Sequence, residues 1–224
     1  HSQATGQVSG ASNVGGLVGL EKMGGTITGE SHASGQVTGT VESAGGLVGR
    51  SEGTVQGGSY STSRVVGVAA VGGLIGGNYG SVSNAHTGPG SAVSGTTDTG
   101  GLIGHNNGTV STVLATGDVT GSGDRTGGLI GFNEIGGALS TANARGTVRG
   151  IDAVGGLIGK NDGTISAGVF DTGTVSGRSK VGGLVGINAG TINSGSHVDG
   201  AVSGVDQIGG LVGLNTGNLV DVEV

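Results

Sequence analysis

A pentapeptide, Gly-Gly-Leu-Val/Ile-Gly, recurs eight times, starting at Gly15, Gly45, Gly72, Gly100, Gly127, Gly155, Gly182 and Gly209, with intervals of 30, 27, 28, 27, 28, 27 and 27 residues. A fixed period over nearly the whole chain restricts it to one small unit stacked on copies of itself, because a unit of this size cannot bury its own apolar face. Glycine supplies 57 of the 224 residues against a single proline, Pro89, and its period near 28 rather than three excludes a collagen helix.

Aligned copies define the unit. After the pentapeptide comes one variable residue and then asparagine in six copies, Asn78, Asn106, Asn133, Asn161, Asn188 and Asn215, followed by a second glycine turn. A Thr/Ser-aliphatic-polar triplet follows: Thr26-Ile27-Thr28, Thr54-Val55-Gln56, Ser81-Val82-Ser83, Thr109-Val110-Ser111, Thr164-Ile165-Ser166 and Thr191-Ile192-Asn193, drifting to Ala138-Leu139-Ser140 in the fifth copy. Its alternation has the period of two of a half-buried strand. A third segment, Gly-x-Val-x-Gly, spans 6–10, 35–39, 117–121, 146–150, 173–177 and 200–204.

Three short strands per copy, none stable alone, are buried best by coiling so that each pairs with its equivalent one copy on. The sequence therefore predicts an all-β, single-domain β-solenoid over residues 1–224, a parallel β-helix of about eight coils, roughly 38 Å long at a strand spacing of about 4.8 Å. The usual crossover preference makes it right-handed. Leu17, Leu47, Leu74, Leu102, Leu129, Leu157, Leu184 and Leu211 are expected to form an interior ladder, and the asparagines an αL turn whose stacked amides hydrogen-bond along the rod. With 2% aromatic residues the interior must be narrow and aliphatic, while 33% hydrophobic residues and a mean hydropathy of +0.13 exclude disorder.

Gly-Gly-Leu-Val-Gly followed by x-Asn-x-Gly-Thr-Ile resembles the GLUG motif of bacterial surface proteins, and the resemblance covers essentially the whole chain. It implies export, a β-helical stalk or passenger region, and the company of haemagglutinin-like adhesins and IgA-specific metalloendopeptidases. It carries no catalysis here, since His-Glu-x-x-His is absent.

Chemistry is sparse. A net charge of -6 argues against nucleic acid or an anionic membrane as partner, and no apolar run is long enough for membrane insertion. The chain has no cysteine, and its five histidines (His1, His32, His86, His105, His197) fall in different phases of the repeat, so no histidine ladder, metal site or cofactor is expected. Lys160 sits in a run one residue short of a phosphate-binding loop, with Asn161 where Ser/Thr would hold magnesium. Glu42, Asp124, Asp152 and Asp206 each precede a pentapeptide by three residues, and stacking of Asp124 on Asp152 would suit weak calcium binding or a raised pKa, although Ser12, Ala69, Thr97 and Ser179 fill that register elsewhere.

Two expectations concern surfaces. If the leucines point inward, strand alternation sends Val18, Val48, Ile75, Ile103, Ile130, Ile158, Val185 and Val212 outward as an aliphatic stripe, a candidate interface for lateral association; a glycine bulge would instead turn both side chains in. The chain begins in the third segment of one coil and finishes just after the second segment of another, with no evident cap, which suits head-to-tail stacking. Asp221 and Glu223, alternating with Val220, Val222 and Val224, would discourage careless pairing at that edge. The expected function is thus a non-catalytic structural or adhesive segment at a bacterial cell surface or outside the cell, with a host or matrix ligand. Alternatives are a self-assembling fibre subunit, an ice-binding face built on the Thr/Ser columns and, last, a glycan-acting β-helix enzyme.

Overall fold

The computed structural model describes residues 1–166, 170–193 and 195–222, so Glu223 and Val224 lie outside the described residues. The chain is a β-solenoid of about eight turns, with equivalent positions about 27 residues apart. Each strand pairs in parallel with its equivalent one coil on, as in Ile75↔Ile103, Val82↔Val110, Val93↔Val119 and Asp124↔Asp152.

Two of the three segments found in the sequence, the triplet and Gly-x-Val-x-Gly, are strands, whereas the pentapeptide lies between two strands, so a coil has four strands rather than the expected three. One coil runs Ala69–Gly72, Ile75–Asn78, Ser81–Thr87 and Ala92–Gly95. The Ile75–Asn78 class forms an eight-stranded sheet of its own, and the other classes join into one continuous sheet of 24 strands.

The pentapeptide is a corner rather than a strand, and this decides where its side chains go. In an extended strand consecutive N–H groups point to opposite sides, yet Leu47 N and Val48 N both donate to Leu74 O, at 2.8 and 3.0 Å. Leu74 and Ile75 do the same to Leu102 O, and so on up the rod. The backbone turns between the two residues, so both side chains enter the interior. Leu47, Leu74, Leu102, Leu129, Leu157 and Leu184 are fully buried, and so are Val48, Ile75, Ile103, Ile130, Ile158 and Val185. Leu17, Val18, Leu211 and Val212, in the terminal coils, are partly buried against the same core. The outward aliphatic stripe is therefore corrected: these residues are core and offer no lateral interface.

Sterics explain the three glycines of the corner. A Cβ on Gly45 would run into the carbonyl of Val48, one on Gly46 into the carbonyl of Gly73 in the next coil, and one on Gly49 into the backbone of Asn13 in the coil before. The last approach exists because the residue two before each pentapeptide is left-handed in all eight coils: Asn13, Ser43, Ala70, Asp98, Arg125, Ala153, Lys180 and Gln207 have φ between 49° and 61°. It is skipped in the ladder, where Ala69 pairs with Thr97 and Val71 with Thr99. The extruded residue pushes its backbone toward the facing corner, where only glycine leaves room.

The interior has two compartments. The larger contains the corner pairs, the triplet aliphatics Ile27, Val55, Val82, Val110, Leu139, Ile165 and Ile192, and small residues such as Ala85 and Ala142. Full burial of each large aliphatic contributes about 1.5–3 kcal/mol. The smaller compartment lies between the pre-pentapeptide strands and the Gly-x-Val-x-Gly strands and is split in two, with Val14, Val37, Ala44, Val65, Val71 and Val93 in one cluster and Val148, Val154, Val175 and Val181 in the other. In the gap, Thr99 and Thr126 occupy the register of Val71 and Val154.

Candidate functional site

The six asparagines form one continuous chain of amides, buried in all but the last, Asn215. Asn78, Asn106, Asn133, Asn161 and Asn188 each donate from Nδ2 to Oδ1 of the next, at 2.7–2.8 Å. The second Nδ2 hydrogen closes onto a glycine carbonyl in the following turn, as in Asn106 to Gly108 O at 3.2 Å. Asn78 to Asn188 are inaccessible to solvent, so this column is structural cement. Ser51 and Glu21 continue it toward the N-terminus: Ser51 Oγ donates to Glu21 Oε2 at 2.6 Å, while buried Glu21 Oε1 has no partner. Burial pushes the Glu21 carboxyl above its usual range, and the Ser51 bond opposes this only in part.

Asp124 and Asp152 are paired one coil apart. Lys180, from the coil beyond, holds both Asp152 oxygens at 2.8 and 3.0 Å, so the carboxylate already has its cation. Among the described residues no group of three or more His, Asp or Glu side chains is arranged to hold a metal ion. The Thr/Ser columns beside the triplet aliphatics are in register, but Ala138 and Asn218 interrupt one of them, and Gln56 and Asn193 the other.

Three of the five histidines, His32, His86 and His197, share a phase, while His105 lies in another. His32, Tyr60, His86, Leu114, Asn143, Phe170 and His197 occupy one register. His32 stacks on Tyr60 at 4.7 Å and Tyr60 on His86 at 5.2 Å, between ring centroids, with His1 tilted against His32 at 5.4 Å. Unequal turns hid this column: His32 lies 17 residues past the start of its pentapeptide, Tyr60 15 and His86 14. A second exterior stack follows the asparagine strand. Tyr79 covers Gly77, stacks near His105 at 5.8 Å, and His105 meets the edge of Phe132 at 5.2 Å. Arg50 lies 4.1 Å from the Tyr79 ring, with Arg125 and Lys160 at 4.7 and 5.2 Å from that of Phe132.

Carboxylates balance these cations. Arg50 meets Glu52 at 3.2 Å, Lys160 meets Asp162 at 2.8 Å, and His105 lies between Asp98 at 3.7 Å and Glu134 at 3.1 Å. Arg125 Nε and Asp98 Oδ1 are 2.6 Å apart without hydrogen-bond alignment, an ion pair held by charge alone. The neighbouring Asp98 carboxylate raises the His105 pKa above its ordinary value, burial opposes that, and Glu134 adds to it. This stripe satisfies itself and ties neighbouring coils together.

One site with room for a ligand is a groove of about 530 Å³ on the outer side of three consecutive triplet strands, within the roughly 300–1,000 Å³ of small-ligand sites. Asn84, Thr112 and Thr141, left-handed with φ of 47°, 53° and 47°, kink these strands and form one wall. Half-buried His86, Leu114 and Asn143 form the other, buried Ala85, Val113 and Ala142 the floor, and exposed Arg145 completes the lining.

Fold and site together define a parallel β-solenoid with an aliphatic interior and a lined exterior groove. No protein-family model, no curated protein and no solved structure matches the chain.

Proposed function

We propose that this chain is a non-catalytic structural and adhesive rod of a bacterial surface or secreted protein. The observation that carries this proposal is the division of labour across the wall: interior registers repeat leucine, isoleucine, valine and asparagine coil after coil, while the exterior registers change. Such a wall is a rigid lattice, with a pitch of about 4.8 Å, for presenting unlike side chains. The resemblance of Gly-Gly-Leu-Val-Gly-x-Asn to surface-protein repeats supplies the extracellular setting. Beads coated with the protein are expected to be retained on immobilised host matrix or glycan surfaces above albumin-coated beads, and surface protease treatment of the source cells is expected to remove the protein. Retention equal to albumin together with protease resistance in intact cells would overturn the proposal.

A further inference from the structure

The groove over coils three to five sits on strands with no free main-chain edge. Ala85 is paired on one side with Ser59 and on the other with Val113, which pairs with Ala142. An extended peptide therefore cannot be recognised here by adding a strand. What the groove offers is side chains repeated at the coil spacing: amide and hydroxyl groups at Asn84, Thr112, Thr141 and Asn143, with Leu114 and the buried floor providing apolar contact. Neither Asn84 nor Thr112 uses its side chain in a hydrogen bond among the described residues. That pattern, a donor and acceptor at every coil over a narrow apolar strip, matches a linear chain of hydroxyl-bearing rings.

Charge selects among such chains. The protein carries 15 acidic side chains and a net charge of -6, yet the lining has no carboxylate and contains an arginine and a histidine. Arg145 Nε donates to Asn143 Oδ1 at 3.1 Å, which fixes the guanidinium at the groove wall while using only one of its five donors. Its terminal nitrogens suit two-point contact with a planar carboxylate.

We propose that this groove binds a carboxylate-bearing oligosaccharide lying along the rod axis, with an acidic ring at Arg145. This deepens the adhesive proposal by naming a ligand class for one face, and it rests on that proposal only for the extracellular setting.

Titration of the whole chain with tetragalacturonate, followed by amide NMR and calorimetry, tests it. The expected result is chemical-shift change centred on Ala85, Val113, Leu114 and Ala142, binding weakened at least about five-fold in Arg145→Gln, and no change in Arg149→Gln, an exposed arginine outside the lining. Leu114→Glu, which puts a carboxylate in the wall, is expected to abolish binding, and circular dichroism shows whether it stays folded. Raising salt from about 50 to about 500 mM is expected to weaken binding several-fold, since the contact is exposed. Equal affinity for neutral cellotetraose, shifts confined to another face, an unaffected Arg145→Gln, or no binding would each overturn the proposal. Saccharide binding lost while bead retention persists overturns the groove alone; binding intact without retention overturns the adhesive proposal.

Discussion

Replacing Thr99 and Thr126 by valine is expected to stabilise the protein. Both side chains are inaccessible to solvent, and neither Oγ1 has a hydrogen-bond partner among the described residues. Each sits where Val71, Val154 and Val181 sit in neighbouring coils, so valine is already accepted in that register. Space for it comes from the glycine that closes the facing Gly-x-Val-x-Gly segment: a Cβ on Gly150 would lie 2.6 Å from Val154 Cγ2, and one on Gly177 2.9 Å from Val181 Cγ2. Gly95 and Gly121 face Thr99 and Thr126 in the same way. A buried hydroxyl without a partner costs about 1–3 kcal/mol, which an isosteric methyl does not incur. The two sites touch across one coil step, so the double variant is expected to gain about 2–5 kcal/mol rather than a strict sum. At about 2–4 °C per kcal/mol for a chain of this size, that is a rise in Tm of about 5–15 °C. Thermal and urea melts followed by circular dichroism measure it, with Val154→Thr as the reciprocal variant, expected to lose about 1–3 kcal/mol. If the double variant melts at or below the parent temperature while Val154→Thr is tolerated, the hydroxyls are satisfied and the argument fails.

Asn133→Ala removes a donor to Asn161 Oδ1 at 2.8 Å and an acceptor for Asn106 Nδ2 at 2.8 Å, leaving both orphaned in the interior; a loss of about 2–5 kcal/mol is expected in urea melts, and an unchanged midpoint would show the amide chain to be dispensable. Burial raises the Glu21 pKa, so its contribution to stability is present below the usual value of 4.5 and is lost as pH rises through the higher folded value; Glu21→Gln should raise the melting temperature at pH about 7 and leave it unchanged at pH about 4. The His105 pKa is raised above 6.5, chiefly by Asp98, so its stabilisation is complete below that value and falls away as pH climbs through the folded pKa. His105→Gln should flatten the decline in stability of the parent protein across that range. Gly131→Ala is expected to prevent soluble folding, since its Cβ would overlap the backbone of Asp98; a folded Gly131→Ala protein would refute the close approach.

The coil, its period and the asparagine column were legible in the sequence because each repeats at fixed offsets from the pentapeptide, and stacking turns equal offsets into contact. The corner was not. Leu74 and Ile75 allow either opposite faces on a strand or a glycine bulge that turns both side chains in, and the shared acceptor Leu102 O decides for a turn between them. The left-handed column was also hidden, because it is filled by Ala70, Arg125, Lys180 and Gln207 as readily as by Asn13 or Asp98, although a side chain there ordinarily costs about 1–2 kcal/mol. Position in the stack, not residue type, imposes that conformation. The groove depends on the same device, since the kinks at Asn84, Thr112 and Thr141 carry no common residue. One signal was available for part of the His32–Tyr60–His86 column: His32 and His197 each lie three residues before a Gly-x-Val-x-Gly segment, at Gly35 and Gly200, but the coils of Tyr60 and His86 lack that segment's first glycine.

These observations put the interior and exterior under different constraints. Inside, a substitution at one coil disturbs the coils on both sides, because every leucine and asparagine is shared between two contacts along the axis. Outside, side chains such as Leu114, Asn143 and Arg145 are half-buried or exposed, so they can vary without unseating the wall. A solenoid of this kind gains a binding surface by changing a few exterior residues over adjacent coils, and the groove over coils three to five has that form: a common backbone kink, a common buried floor, and a wall of His86, Leu114 and Asn143 that differs at every coil. Specificity on this rod should therefore move with short exterior segments, and exchanging Asn84, Thr112 and Thr141 should alter ligand preference without altering the stability by more than the few tenths of a kcal/mol typical of surface positions.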